Sequence, residues 1–164
     1  MVMKHTILAV DDEPANLRML ERLFHREYRV LTAKSGEEAL ELLGREEVSL
    51  IISDQRMPGM TGTEMLQASI RTNPDAVKII LTGYTDVEAL IEAINYARVY
   101  RYVNKPWDPE KLKATVSSAI RERETMIEQK RLLDGLVALV QQHQWAFIPN
   151  APSSREEMVG EHVQ

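Results

Sequence analysis

The sequence predicts an α/β fold, a parallel sheet of five strands covered by helices on both faces. Five short apolar runs, rich in β-branched and aromatic residues, alternate with longer segments of helical spacing as far as about residue 120. The runs are largely apolar and are separated by helix-length connections. Parallel pairing follows, because antiparallel neighbours would be joined by tight hairpins.

The elements follow one another in order. Thr6–Val10 is the first strand, and Pro14 opens a helix whose apolar face is Leu17, Leu20, Leu23 and Phe24. Tyr28–Leu31 is the second strand. Ser35, followed three residues later by Glu38, reads as a capping box ahead of Ala39, Leu40, Leu42 and Leu43. Val48–Ile52 is the third strand, and Met65, Leu66 and Ile70 mark the third helix. Val77–Leu81 is the fourth strand, with Thr85 or Asp86 starting a helix through Val87, Leu90, Ile91 and Ile94. Val99–Val103 is the fifth.

Asp108-Pro109-Glu110 starts the last helix, which carries one apolar stripe of Leu112, Val116, Ala119 and Ile120. No stop signal follows. The charged stretch Arg121–Glu124 reads as solvated helix leaving the domain, and Met126, Leu133, Leu136 and Val140 resume a stripe at heptad-like spacing around Gly135. The expected organisation is a domain over residues 1–122, a helical extension over 123–143 that dimerises as a coiled coil or docks on a partner, and a flexible tail over 144–164. Within the tail, Pro149-Asn-Ala-Pro-Ser-Ser has linker composition.

Composition narrows the functions. The 164 residues allow one sizeable core, and 44 % apolar with 27 % charged residues is ordinary globular composition. A net charge of −5 and the lack of a local basic patch argue against direct nucleic-acid binding. The absence of cysteine removes disulfides, thiolate metal sites and thiol nucleophiles, and His5, His25, His143 and His162 are scattered. The amino-terminal stretch does not read as a secretory signal, and no run of about 18 apolar residues would span a membrane, so a cytoplasmic location is expected.

In a parallel sheet with right-handed crossovers, the carboxyl ends of the strands share one edge. Asp11 and Asp12 follow the first strand and Asp54 lies just past the third, so three carboxylates gather there. Unpaired, they repel and raise at least one pKa unless a cation sits among them. A lone Asp after a strand more often caps a helix, and two of the three remain open to that role. Clustering favours a cation, and magnesium suits oxygen donors beside a phosphoryl group. Thr82-Gly83 and Asn104-Lys105-Pro106 bring a hydroxyl and an ammonium to the same edge. Together the groups can hold a phosphoryl group during attack by a carboxylate.

Asp11-Asp12-Glu13-Pro14, Ser53-Asp54-Gln-Arg-Met-Pro-Gly-Met-Thr-Gly62, Leu81-Thr82-Gly83 and Tyr102-Val-Asn-Lys105-Pro106-Trp107 together resemble the receiver domain of bacterial two-component response regulators. The resemblance covers roughly residues 4 to 122. It implies a doubly wound, flavodoxin-like sheet of order 2-1-3-4-5, to which the sequence pattern adds the extended carboxyl-terminal helix. It further implies that Asp54 is the phosphoacceptor. Asp12, Asp11 through water, Asp54 and the backbone carbonyl of Arg56 would hold Mg2+. Thr82 becomes the switch hydroxyl, Lys105 the phosphate-binding amine and Tyr102 the switch aromatic, with a cis bond before Pro106.

The implied function is phosphorelay signalling. A sensor histidine kinase or histidine phosphotransfer protein loads Asp54, and the face formed by the fourth helical segment, fifth strand and fifth helix carries the output, in part as a homodimer. Gln55-Arg-Met-Pro-Gly and Thr82-Gly-Tyr-Thr-Asp86 are similar to receivers attached to transcriptional activators or cyclic-dinucleotide phosphodiesterases. Arg56 and Tyr84 are bulky residues beside the expected approach of water, which predicts slow loss of phosphate. Two alternatives remain at this point. One is a phosphate-independent interaction module, and the other a Mg-dependent phosphohydrolase, for which the short loops leave no room for a substrate cap. On the receiver reading the chain is no enzyme beyond its own phosphorylation and dephosphorylation.

Overall fold

The computed structural model describes residues 4–83, 91 and 95–143. The elements are β1 (Thr6–Val10), α1 (Pro14–Phe24), β2 (Arg29–Ala33), α2 (Gly36–Leu43), β3 (Leu50–Asp54), α3 (Gly62–Ser69), β4 (Val77–Thr82), β5 (Arg101–Asn104) and α4 (Pro109–His143). The strands form one sheet of order β2-β1-β3-β4-β5, and every neighbouring pair is parallel. The expected order and pairing are therefore observed. The helix expected over Val87 to Ile94, with its start at Thr85 or Asp86, lies outside the described residues except for Ile91, as do Tyr84 and the tail from residue 144.

Alternation along the strands divides the core into two layers. Leu8, Val10, Ile51 and Ile80 pack with Ala39, Leu43, Met65 and Leu66 of α2 and α3 on one face. Ile7, Ala9, Leu50, Ile52, Ile79 and Leu81 pack on the other with Leu17, Leu20 and Phe24 of α1 and Leu112, Val116, Ala119 and Ile120 of α4. Each fully buried Leu or Ile stabilises the fold by about 1.5–3 kcal/mol. Two-sided burial holds for the inner strands β1, β3 and β4, whereas β2 and β5 are largely half-buried or exposed. Each of these edge strands has a single neighbour, so uniform burial does not extend to the sheet margins.

The bounds of β2, β3, β4 and β5 shift from those expected, β4 ending at Thr82 and β5 running from Arg101 to Asn104. β2 runs on to Ala33, in register with Val10, and β3 begins at Leu50 and ends at Asp54 itself. Val48 stays outside the strand, its N–H donating to Asn73 Oδ1 at 3.0 Å while Asn73 Nδ2 donates to the Leu43 carbonyl at 2.8 Å. Asp54 is thus the last residue of its strand rather than the first beyond it.

The cap signals are realised with one change. Ser35 Oγ accepts the Glu38 N–H at 3.1 Å, but Glu38 reaches back to the N–H of Lys34 at 3.0 Å, one residue short of a reciprocal box. Asp108 Oδ1 accepts from the N–H groups of Glu110 and Lys111 at 2.9 and 3.2 Å, which fixes the start of α4 and contributes about 1 kcal/mol.

The chain divides into two compact units, residues 1–126 and 127–164. In the first, the stretch Arg121–Glu124 is largely exposed, as expected of solvated helix, while Arg123 and Glu124 also bond to the sheet edge through Asp75 and His5. In the second, α4 continues unbroken through Gly135 to His143, with Leu132, Leu133, Leu136, Val137, Leu139 and Val140 all more than half exposed. Among the described residues, no helix is long and apolar enough to cross a membrane.

Lys78 is an unusual core residue. It is 3 % exposed in β4, its Nζ donates to the Ala76 carbonyl at 3.1 Å, and burial, with Arg98 adding to it, lowers its pKa. The folded value lies below the unfolded one, so a stability penalty is present at neutral pH and fades as pH rises toward the ordinary 10.5. Lys78→Met is therefore expected to raise the thermal midpoint by a few degrees at pH 7, with the gain shrinking at alkaline pH, as read by calorimetry across pH.

Candidate functional site

Parallel pairing brings the carboxyl ends of β1, β3, β4 and β5 to one edge. Asp11 and Asp12 directly follow β1, and Asp54 closes β3. Asp11 is fully buried, Asp54 is buried and Asp12 is exposed. One carboxylate oxygen from each lies within 4.8 Å of the others. Lys105, just past β5, places Nζ 3.0 Å from Asp54 Oδ1 and 3.6 Å from Asp11 Oδ2. The Lys105–Pro106 bond is cis, as expected.

Asp11 does not cap α1, whose N-cap is Glu13 with no side-chain cap bond, but it does bond to the entrance of that helix. Its Oδ1 accepts the Glu13 N–H at 2.9 Å at the entrance to α1, and Asn16 Nδ2 donates to its Oδ2 at 3.1 Å. These bonds fix the carboxylate that also faces Lys105. Asn16 escaped notice because a polar residue early in an amphipathic helix looks like surface.

Burial pushes the Asp54 carboxyl above its ordinary value. Lys105 and the Gln55 N–H, 2.9 Å from Oδ1, pull it down, and Asp11 pushes it further up. For Lys105, burial works against the charge, but the Asp54 and Asp11 carboxylates outweigh it and hold the amine above its ordinary value. Three carboxylates against one ammonium leave a formal excess of two negative charges, which one divalent cation balances. The donors are hard carboxylate oxygens, one of them exposed, which suits Mg2+ retaining several waters.

The loop after β3 is held by a residue absent from the sequence-level site. The Gln55 side chain donates to Thr63 Oγ1 at 3.1 Å and accepts the Thr63 N–H at 3.0 Å, while its carbonyl accepts the Gly62 N–H at 3.0 Å. Gly62 sits directly under Asp54, where a Cβ would be driven into the Asp54 carbonyl oxygen. Gly59 turns the loop with φ +79°, a conformation that side chains disfavour. Arg56 lies in this loop two residues beyond Asp54, with its side chain exposed. Close backbone approach is invisible in a one-dimensional pattern, although a glycine just after Thr61 at a helix start is a usable signal.

Thr82 is the buried last residue of β4, its hydroxyl donating to the Gly83 carbonyl at 3.1 Å. Among the described residues, nothing lies within 4 Å of a Cβ built on Gly83. Tyr102, paired with Ile80 across β4 and β5, is 46 % exposed. The structure therefore brings Asp11, Asp12, Asp54 and Lys105 together and sets Thr82 at the same edge, whereas Tyr102 lies two positions back along β5.

Comparison with known proteins is consistent with this geometry. The family described as the response regulator receiver domain matches residues 7–117. The hydrogenase transcriptional regulatory protein HoxA of Cupriavidus necator is 43 % identical over 127 residues, covering 77 % of this chain and 26 % of HoxA. The transcriptional regulatory protein GlrR of Escherichia coli is 35 % identical over 117 residues, covering 71 % of this chain and 26 % of GlrR. The chain thus spans about a quarter of the length of these relatives. Among solved structures, the signal receiver domain of an HD domain-containing protein from Pseudomonas fluorescens superimposes with a TM-score of 0.71 at 32 % identity, covering 74 % of this chain and 98 % of that one.

Proposed function

The chain belongs to the response regulator receiver family, and from that premise we propose that Asp54 accepts a phosphoryl group from a sensor histidine kinase or histidine phosphotransfer protein. The observation that carries the reading is Lys105 Nζ at 3.0 Å from Asp54, inside a cluster completed by Asp11 and Asp12. Asp11, Asp12, Asp54 and the Arg56 carbonyl are the proposed holders of Mg2+. When bound, the ion supplies charge neutralisation for the phosphoryl oxygens.

The chain's own residues perform the rest. The Asp54 carboxylate attacks phosphorus in line, a new O–P bond forms, and the bond from phosphorus to the donor breaks, its electron pair leaving with the donor. Lys105 is already placed to receive a phosphoryl oxygen. The Thr82 hydroxyl exchanges its bond to Gly83 for one to the phosphoryl group, which adds about −1.5 to −2 charges to this edge. Inward movement of Thr82 favours a buried Tyr102, which biases a pre-existing equilibrium at the face formed by the segment between β4 and β5, β5 itself and α4.

The output is a signal rather than a released product, in a cytoplasmic protein whose chemistry is confined to its own phosphorylation and dephosphorylation. The exposed stripe of α4 beyond residue 126 is proposed to pair with a second copy, because its large side chains recur at heptad spacing at Met126, Leu133 and Val140.

Intact-mass measurement after incubation with acetyl phosphate tests the reading. With Mg2+ we expect one adduct of about 80 Da, and with a chelator less than about a tenth of it. Light scattering on the same sample reads the pairing of α4. No adduct from acetyl phosphate or from a phosphorylated histidine donor would refute the assignment.

A further inference from the structure

We propose that the amino-terminal edge of the sheet, opposite the acids, carries a polar collar that positions the turns of α4 from Ser117 to Glu124. Three hydrogen bonds build it. His5, just before β1, bridges Ser49 Oγ at 3.0 Å and Glu124 Oε1 at 2.7 Å. Ser49 immediately precedes β3 and is buried. Arg123 Nε donates to the carbonyl of Asp75, two residues before β4, at 3.0 Å. Tyr28, just before β2, lies near Ser117, and Tyr100, just before β5, lies near Glu122. The segments leading into β1 and β4 therefore bond to α4, that leading into β3 joins through His5, and those leading into β2 and β5 lie beside the same turns.

These contacts are needed for position rather than for bulk stability. Among the described residues, Ile120 is the last fully buried apolar side chain of α4, so beyond it the helix has little apolar burial to hold it. Arg123 and Glu124 take over within the next turn. Exposed ion pairs each contribute too little to hold a fold but enough to select one local arrangement when several converge. The His5 bridge survives either protonation state. A neutral ring donates from Nε2 to Glu124 and accepts the Ser49 hydroxyl at Nδ1, and a charged ring donates from both nitrogens. The collar is therefore a fixed support, with His5 and Arg123 as positioning residues for the helix that continues into the exposed stripe.

The test is hydrogen exchange of the full chain read by peptide mass, comparing wild type with His5→Ala, Arg123→Ala and the double variant. Amides of residues 117–126 are expected to exchange about tenfold faster or more in the double variant, while those of residues 50–54 stay within about twofold. Arg123→Lys, which keeps a donor at reach, is expected to recover part of the protection. Unchanged exchange at residues 117–126 would overturn the proposal. An equal rise in β3 would overturn it too, because the contacts would then be general stabilisers. Neither reading depends on Asp54 taking phosphate, so failure here and failure of the phosphoacceptor assignment are separately visible.

Discussion

Asp54→Asn is expected to lower phosphoryl uptake from acetyl phosphate by a factor on the order of a thousand or more while leaving the fold intact. The amide is nearly isosteric but is no nucleophile, and loss of the attacking group removes the one bond-forming partner. Stability should not fall at neutral pH. Burial raises the Asp54 carboxyl in the folded chain above its ordinary 3.8, so the unfolded chain gives up that proton first. Folding stability then declines as pH rises through the interval between the two values, and the penalty persists above it. Asparagine removes the penalty. The variant should melt at or above the parent temperature at pH 7 in metal-free buffer, with the difference vanishing in acid. Intact mass and calorimetry read the two halves separately. An Asp54→Asn protein that still regulates its partner normally would instead identify a phosphate-independent interaction module.

Gly62→Ala should have the largest effect on stability of any single-methyl change near the site. The added Cβ meets the Asp54 carbonyl oxygen and lies 3.1 Å from Ser53 Oγ. Neither neighbour can yield cheaply, since Ser53 Oγ donates to that same carbonyl at 2.8 Å and the Gly62 N–H is bonded to the Gln55 carbonyl. Relief requires moving the end of β3 or the start of α3. The expected loss is about 3 kcal/mol, a fall of roughly 10 °C in thermal midpoint. Phosphoryl uptake should slow by about tenfold or more, because the same shift displaces the Asp54 backbone. Gly83→Ala is the control, with no described residue within 4 Å of the new methyl and an expected stability change within about 0.5 kcal/mol. A Gly62→Ala protein melting within a degree of wild type would show that the loop gives way more easily than its bonds imply.

Most of the acidic edge was legible because it depends on order alone. A strand followed by Asp11-Asp12, another ending in Asp54 and a third leading into Lys105 must converge once the sheet is parallel, whatever the side-chain details. Local signals were also legible where the interacting groups are neighbours in sequence, as at Ser35 with Glu38 and at Asp108 with Glu110. Asn16 on Asp11 and Gln55 on Thr63 were not, because their partners are identified by side-chain direction rather than by residue type. Nor was the role of the charged stretch before Met126. Arg123 and Glu124 look like any solvated pair until the ends of β1 and β4 are folded against them.

By itself the sequence determined the five-strand parallel architecture, the family and the gathering of Asp11, Asp12, Asp54 and Lys105. Hydrophobic periodicity and chain order are one-dimensional quantities that fix which faces are buried and which strand ends share an edge. Only the tertiary structure decided that Asp54 is shifted upward by burial despite its lysine, that Gly62 must lack a side chain, and that α4 is gripped at the far end of the sheet. Desolvation, steric approach and long-range bonds are set by distances between residues far apart in the chain, and those distances exist only once the sheet has closed around its core.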